Sequence, residues 1–151
     1  MIEPTLVLTD APGIDVRRVI DDGLAHHGIE QVGYWNARPI AVIAQDPATG
    51  RIFGGLLGRT SLGLLFVEIV FLPESLRGRK IGTRILRMAE EEAVRRGCRA
   101  AVLYTISFQA PEFYERHGWR EFGRIPCDPP GTSRVFMTKQ LSPSLTSQPT
   151  C

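Results

Sequence analysis

Apolar and polar positions along the chain fall into short blocks whose spacing predicts the elements. Residues 2–9 alternate weakly and predict an edge strand; after a break at Pro12-Gly13, a helical stretch runs from about Ile14 to His27, with Gly28 placed to stop it. Residues 38–45 and 51–58 are apolar runs separated by Asp46-Pro47-Ala48-Thr49-Gly50, which predicts a β-hairpin. Residues 62–72 are apolar on both alternating faces, the pattern of a central strand covered on both sides, and Glu68 is the only ionisable residue within them. Over residues 82–96, Ile85, Leu86, Met88, Ala89 and Ala93 recur at helical spacing. Glu91 with Arg95 and Glu92 with Arg96 form favourable pairs four residues apart, and Gly97 closes the helix. Residues 99–106 predict another strand and residues 111–117 a short helix opened by Pro111 and stopped by Gly118. Residues 119–125 and 134–141 predict a final hairpin around Asp128-Pro129-Pro130-Gly131. Together these predict an α/β (α+β) chain built on one mixed, mostly antiparallel sheet of six to seven strands with helices on both faces.

Composition narrows the class. A chain of 151 residues is expected to form one domain, here residues 1–141, and the Ser, Thr and Pro of residues 142–151 predict a disordered tail. Hydrophobic and charged shares of 43% and 23% are those of a globular protein, and a net charge of +2 is too balanced for a histone-like or polybasic membrane protein. Residues 62–72 are too short to span a bilayer, which takes about 20 apolar residues. Met1-Ile2-Glu3-Pro4-Thr5 has neither a basic nor an apolar leader region, so a cytoplasmic protein is expected. Cys98, Cys127 and Cys151 lack Cys-x-x-Cys spacing and are expected to be reduced thiols. His26, His27 and His117 show no metal-ligand spacing, so no metal is expected.

The chemistry gathers between the apolar strand and the long helix. Arg77, Arg79, Lys80 and Arg84 surround a predicted helix N-terminus, which already carries partial positive charge and unpaired N–H donors. A bound anion would resolve that repulsion, and Gly78 and Gly82 would let backbone approach phosphate oxygens. A solvated basic turn is the plainer reading. Neither the P-loop nor the dinucleotide-binding glycine spacing is present.

Arg77-Gly78-Arg79-Lys80-Ile81-Gly82 instead resembles the Arg/Gln-x-x-Gly-x-Gly/Ala turn of the GNAT acetyltransferases, with Lys80 in place of the first glycine. That lysine is expected to be tolerated if its φ stays negative. Downstream, Ala110-Pro111-Glu112-Phe113-Tyr114-Glu115-Arg116-His117-Gly118-Trp119 looks like the family's Ala-x-x-Phe/Leu-Tyr-Glu-x-x-Gly-Phe signature, and both motifs stand in family order. The resemblance implies a GNAT-type fold and an acetyl-CoA co-substrate. It places the pyrophosphate on the turn of Arg77, Gly78, Arg79, Lys80, Ile81, Gly82 and Thr83, and Ser107 where many members use Asn on the pantetheine arm. A strand N–H near Phe71 or Leu72 would polarise the thioester.

By the same resemblance Tyr114 matches the tyrosine that protonates the departing thiolate, and residues 67–71 resemble the glutamate-bearing strand of the histone-acetylating branch, making Glu68 the base. A phenol near pKa 10 suits that donor role, though a tyrosine hydroxyl bonded to backbone is the plainer reading. A lone carboxylate in a central strand is expected to be desolvated and poised as a base; an ion pair with an arginine, such as Arg38 or Arg120, or reach to solvent, is the alternative. Trp35, Phe108 and Gln109 are candidate acceptor-pocket residues, with packing equally open. The expected activity is direct transfer of acetyl to a primary amine of a small molecule or protein. The alternative is a non-catalytic acetyl-CoA sensor; nucleic-acid binding is disfavoured by the charge balance, and a homodimer is compatible with the resemblance.

Overall fold

The computed structural model describes residues 2–141, so the predicted tail at 142–151 and Cys151 lie outside the described residues. The chain divides into two compact units, the first ending at Trp35 and the second starting at Asn36.

In the first unit, residues 2–13 carry no regular secondary structure, so the strand expected at 2–9 does not form. The reason is local. Pro4 has no N–H to give to a ladder, and Leu6, Val7 and Leu8 are exposed instead of packed on a partner strand. Helix α1 (Ile14–Val32) then runs beyond the predicted stop at Gly28. Gly28 is a packing glycine: a Cβ there would stand 2.2 Å from Cε3 of Trp35. The stop is Gly33, at φ 89°, whose N–H donates to Ile29 O at 2.9 Å in a left-handed cap.

The second unit contains β1 (Arg38–Gln45), β2 (Ile52–Ser61), β3 (Leu64–Phe71), a 3-10 turn (Glu74–Leu76), α2 (Ile81–Arg95), β4 (Ala100–Ile106), α3 (Pro111–Arg116), β5 (Arg120–Cys127) and β6 (Thr132–Gln140). The six strands form an open sheet in the order β1-β2-β3-β4-β6-β5, with only β3 and β4 parallel. That parallel step uses α2 as its crossover, as parallel pairing requires. The first hairpin turns on Asp46, whose carboxylate accepts the N–H groups of Ala48 at 2.7 Å and Thr49 at 3.2 Å.

The sequence pattern concealed a second hairpin. Strand β2 continues to Ser61, and Leu62 and Gly63, at φ 48° and 82°, make the two-residue turn into β3. The register then shifts between Leu57, opposite Ile69, and Gly58, opposite Val67, so Glu68 is the extra residue of a β-bulge. Gly58 is required there, because a Cβ would stand 2.3 Å from the backbone oxygen of Phe66.

Strand β3 is also not covered on both sides along its length: Leu65 and Val67 are buried, whereas Ile69, Val70 and Phe71 are exposed. The core is confined to the face that receives α2. Ile85, Leu86, Ala89 and Ala93 of α2 join Leu56, Leu65, Val67, Ala101, Leu103, Val135 and Met137 in one buried cluster that also holds Tyr114 and Trp119. Each large aliphatic side chain buried in this way contributes about 1.5 to 3 kcal/mol of transfer free energy. Polar anchors fix the C-terminal half of α2. Arg96 donates to Glu92, to Pro39 O at 3.0 Å and to Thr60 Oγ1 at 3.1 Å. Glu90 accepts both Trp119 Nε1–H at 3.1 Å and Lys139 Nζ at 2.7 Å.

Candidate active site

Pairing between β3 and β4 covers only Leu64 to Phe66 against Ala100 to Val102, after which the strands part. From Val67 onward β3 is bonded on its β2 side alone, which leaves backbone groups on the other edge for a ligand. The parting opens a cleft of about 190 Å³ lined by Glu68 from β3, Tyr104 from β4, Gln109 from the following loop and Tyr114 from α3, among others. The two catalytic candidates, far apart in sequence, therefore share one cavity. A larger groove of about 460 Å³ between β1 and α2 is lined by Ile40, Met88, Glu91 and Arg95 and holds neither of them.

Tyr114 sits in the first α-helical turns after Pro111 and is 93% buried. Phe113 and Trp119 meet its ring edge-on at centroid separations of 5.1 Å and 6.0 Å, which fixes its position. Burial pushes its phenol up from 10.0 to about 12, because the ring has no water to solvate a phenolate. The hydroxyl thus keeps its proton at neutral pH.

Glu68 departs from expectation. It is not a desolvated carboxylate, since its side chain is 37% exposed, and its partner is neither Arg38 nor Arg120. Arg59 Nη1 of β2 donates to Glu68 Oε2, and the same guanidinium lies 4.4 Å from the centroid of the Phe66 ring. Reading β2 as ending at Gly58 hid this partner. The signal was Leu62-Gly63, whose turn places Arg59 opposite Phe66.

The cationic turn carries the second correction. Lys80 is the N-terminal cap of α2 at φ 62°, in the left-handed region and not at negative φ, and no side chain caps the helix. A non-glycine residue in that region costs about 1 to 2 kcal/mol. The first helical bond in this turn is Arg84 N–H to Lys80 O at 3.1 Å, leaving the N–H groups of Ile81, Gly82 and Thr83 outside the helical ladder. Arg79, Lys80 and Arg84 are exposed around them. These free donors under positive charge fit a pyrophosphate in the way helix N-termini bind anions. Gly78 is at φ 76°, a conformation glycine adopts without cost, whereas a Cβ on Gly82 would make only ordinary contact with Phe113 at 3.5 Å.

Other predicted residues have occupations of their own. Arg77 Nε donates to Leu72 O at 3.0 Å and ties the turn to the end of β3, where Phe71 is exposed and Leu72 packs against the core. His117 Nδ1–H donates to Phe113 O at 2.8 Å, so Nε2 accepts the Thr83 hydroxyl at 3.0 Å, and Thr83 has only its N–H for a ligand. Ser107 Oγ accepts Ser133 N–H at 3.0 Å while its own proton stays available. Gln109 lines the cleft, but its Oε1 is taken by Thr105 Oγ1 at 3.3 Å and Ile106 N–H at 3.1 Å. Phe108 is exposed and lies outside the cleft lining; Trp35 belongs to the first unit, against Gly28. Tyr104 was not predicted and does line the cleft. Cys98 is buried among the core side chains, and burial pushes its thiol up, so it is a packing residue and not a nucleophile. Among the described residues, no three His, Cys, Asp or Glu side chains come together.

Known proteins match this arrangement. The acetyltransferase (GNAT) domain family matches residues 25–121. Acetyltransferase Atu2258 of Agrobacterium fabrum is 32% identical over 135 residues, covering 89% of this chain and 98% of that protein. Blasticidin-S acetyltransferase of Streptomyces morookaense is 35% identical over 108 residues, covering 70% of this chain and 79% of that protein. A crystal structure from Agrobacterium tumefaciens, described as an acetyltransferase, superposes with a TM-score of 0.80 at 31% identity over 91% of this chain and 99% of its own. A family model spanning most of the second unit and relatives aligned over nearly their whole length settle the family: the chain belongs to the GNAT acetyltransferases.

Proposed function

We propose that this chain moves the acetyl group of acetyl-CoA directly to a primary amine of a small molecule, in a ternary complex without a covalent acyl-enzyme. The observation that carries the reading is that Glu68 and Tyr114 line one cleft where β3 and β4 part. The acetyl thioester supplies the electrophilic carbonyl.

Ile81, Gly82 and Thr83 N–H groups, with Arg79 and Lys80, hold the pyrophosphate, and Arg77 braces their turn against β3. The unpaired edge of β3 near Phe71 and Leu72 polarises the thioester carbonyl, and Ser107 can still give its hydroxyl proton to the arm. Glu68, through water, takes the proton from the acceptor nitrogen as the C–N bond forms. Tyr114 donates a hydrogen bond from its O–H to the sulfur as the C–S bond breaks, and the thiolate that leaves takes its proton from water. Because an ordinary thiol titrates near 8.5, the phenol at about 12 is the weaker acid, so its contribution is a hydrogen bond that strengthens as charge builds on sulfur.

A small-molecule acceptor is favoured by the antibiotic in the name of one relative. The free thiols of Cys98 and Cys127 suit a reducing compartment such as the cytoplasm. The test is a calorimetric titration with acetyl-CoA and with its form lacking the 3′-phosphate, followed by a thiol-release screen of amines that includes blasticidin S. Saturable binding with amine-dependent thiol release is expected. Binding without release for any amine would convert the reading to a non-catalytic sensor, and absence of binding would remove the cofactor assignment.

A further inference from the structure

Arg59 comes from a strand that carries none of the predicted site residues, yet among the described residues its side chain alone bonds the carboxylate of the proposed base. Three features make its placement specific. Gly58, in β-bulge register, leaves no Cβ between β2 and the Phe66 carbonyl, so the two strands stay close where Arg59 begins. Arg59 stands directly opposite Phe66, and its guanidinium rests 4.4 Å from the centre of that ring. Phe66 and Glu68 stand two residues apart on β3 and so share the face opposite the buried Leu65 and Val67, where Arg59 Nη1 meets Glu68 Oε2; Glu68 is also the extra residue of the bulge. Neither side chain is buried, at 47% and 37% exposed, so the pair adds little to stability. A guanidinium stacked on an aromatic ring has lost much of its freedom before it meets the carboxylate. What the arrangement provides is orientation.

We propose that Arg59 is a positioning residue for the transfer reaction: stacked on Phe66, it holds one oxygen of Glu68 and leaves Oε1 for the proton of the acceptor amine. Glu68 Oε1 has no hydrogen-bond partner among the described residues. Without the clamp, a glutamate on a bulge at the cleft rim samples several rotamers, and only some present an oxygen to the acceptor. This rests on the reading of Glu68 as the base.

The experiment is steady-state kinetics with acetyl-CoA and the best amine of the screen, for wild type, R59M, R59K, E68Q and the R59M/E68Q double variant. Circular dichroism melts and acetyl-CoA titration confirm that each variant folds and binds. R59M is expected to lower kcat roughly tenfold with both KM values unchanged. R59K, which keeps the charge but not the planar stack, should recover part of that loss. In the E68Q background R59M should cost nothing further, because the clamp has no base to hold. If R59M retains wild-type kcat, or raises only the KM of the amine, Arg59 does not act through Glu68 and the proposal fails. An equal R59M loss in the E68Q background overturns it too. The base reading fails separately, through an unchanged rate in E68Q. Should R59M not fold, F66L removes the ring from beneath Arg59 and is expected to give a smaller loss of kcat; no loss in F66L with none in R59K overturns the clamp.

Discussion

Glu68 on β3 and Tyr114 on α3 face the same cleft, which exists because the β3–β4 ladder stops at Phe66 and Val102. One residue is half-exposed and ion-paired, the other buried and protonated. In the proposed mechanism the carboxylate at the solvent-accessible rim takes up a proton and the buried phenol donates a hydrogen bond.

Glu68→Gln keeps the shape of the side chain and removes the proposed base. A drop in kcat of about 10² to 10⁴ is expected for loss of general-base catalysis. Tyr114→Phe removes one oxygen from a site shaped by Phe113 and Trp119, so the protein should fold while kcat falls by about 10 to 100-fold. Thiol release from acetyl-CoA in the presence of an accepted amine measures both, and an unchanged rate in either variant removes that residue from the mechanism.

Tyr114 also links stability to alkaline pH. Its folded-state value of about 12 lies above the 10.0 of an exposed phenol, so the unfolded chain loses this proton first. The stabilisation is whole below pH 10 and disappears as pH rises towards 12. Two units correspond to about 3 kcal/mol. Denaturant melts between pH 9 and 12 should show a steeper loss for wild type than for Tyr114→Phe; parallel curves would mean that the phenol is not desolvated.

Lys80 combines left-handed backbone with a charge beside uncapped N–H groups. Lys80→Gly should gain up to about 1 kcal/mol, the relief of φ 62° reduced by the greater freedom of unfolded glycine. The same change should weaken acetyl-CoA binding through the lost ammonium. A thermal melt and a calorimetric titration read the two effects with opposite signs, and a glycine variant that binds as tightly as wild type would make Lys80 a bystander.

Gly58 and Gly82 should respond differently to one methyl group. At Gly58 the new Cβ meets backbone oxygen at 2.3 Å, so Gly58→Ala must push β2 from β3 beside the Arg59–Glu68 pair, at a cost of about 2 kcal/mol or more and with loss of turnover. At Gly82 the nearest atom is 3.5 Å away in the Phe113 ring, and Gly82→Ala should fold with near wild-type stability. Chemical denaturation of both variants checks the contrast.

Periodicity made much of the second unit legible. The predicted first hairpin strand at 38–45 coincides with β1, and the helix predicted at 82–96 differs from α2 by one residue at each end. Those segments carry strong local signals: alternation bounded by a turn, and an apolar stripe ended by Gly97. The edge strand at 2–9, the stop at Gly28 and the end of β2 at Gly58 differ from the structure because periodicity within each segment does not show what packs against it. A strand needs a neighbour, Gly28 answers to Trp35, and Gly58 is a strand residue pressed against Phe66.

The sequence by itself pointed to the family and to the cationic turn at the head of α2, through two short motifs in fixed order, and it marked Tyr114 by its motif position and Glu68 as the only ionisable residue of an apolar strand as candidates. Tertiary structure decided what surrounds them. The arrest of β3–β4 pairing, the β2–β3 register that sets Arg59 beside Glu68, the left-handed backbone of Lys80 and the burial that raises Tyr114 belong to the folded chain and not to any local spacing. Burial, register and charge pairing are properties of neighbours in space, and local spacing does not encode them.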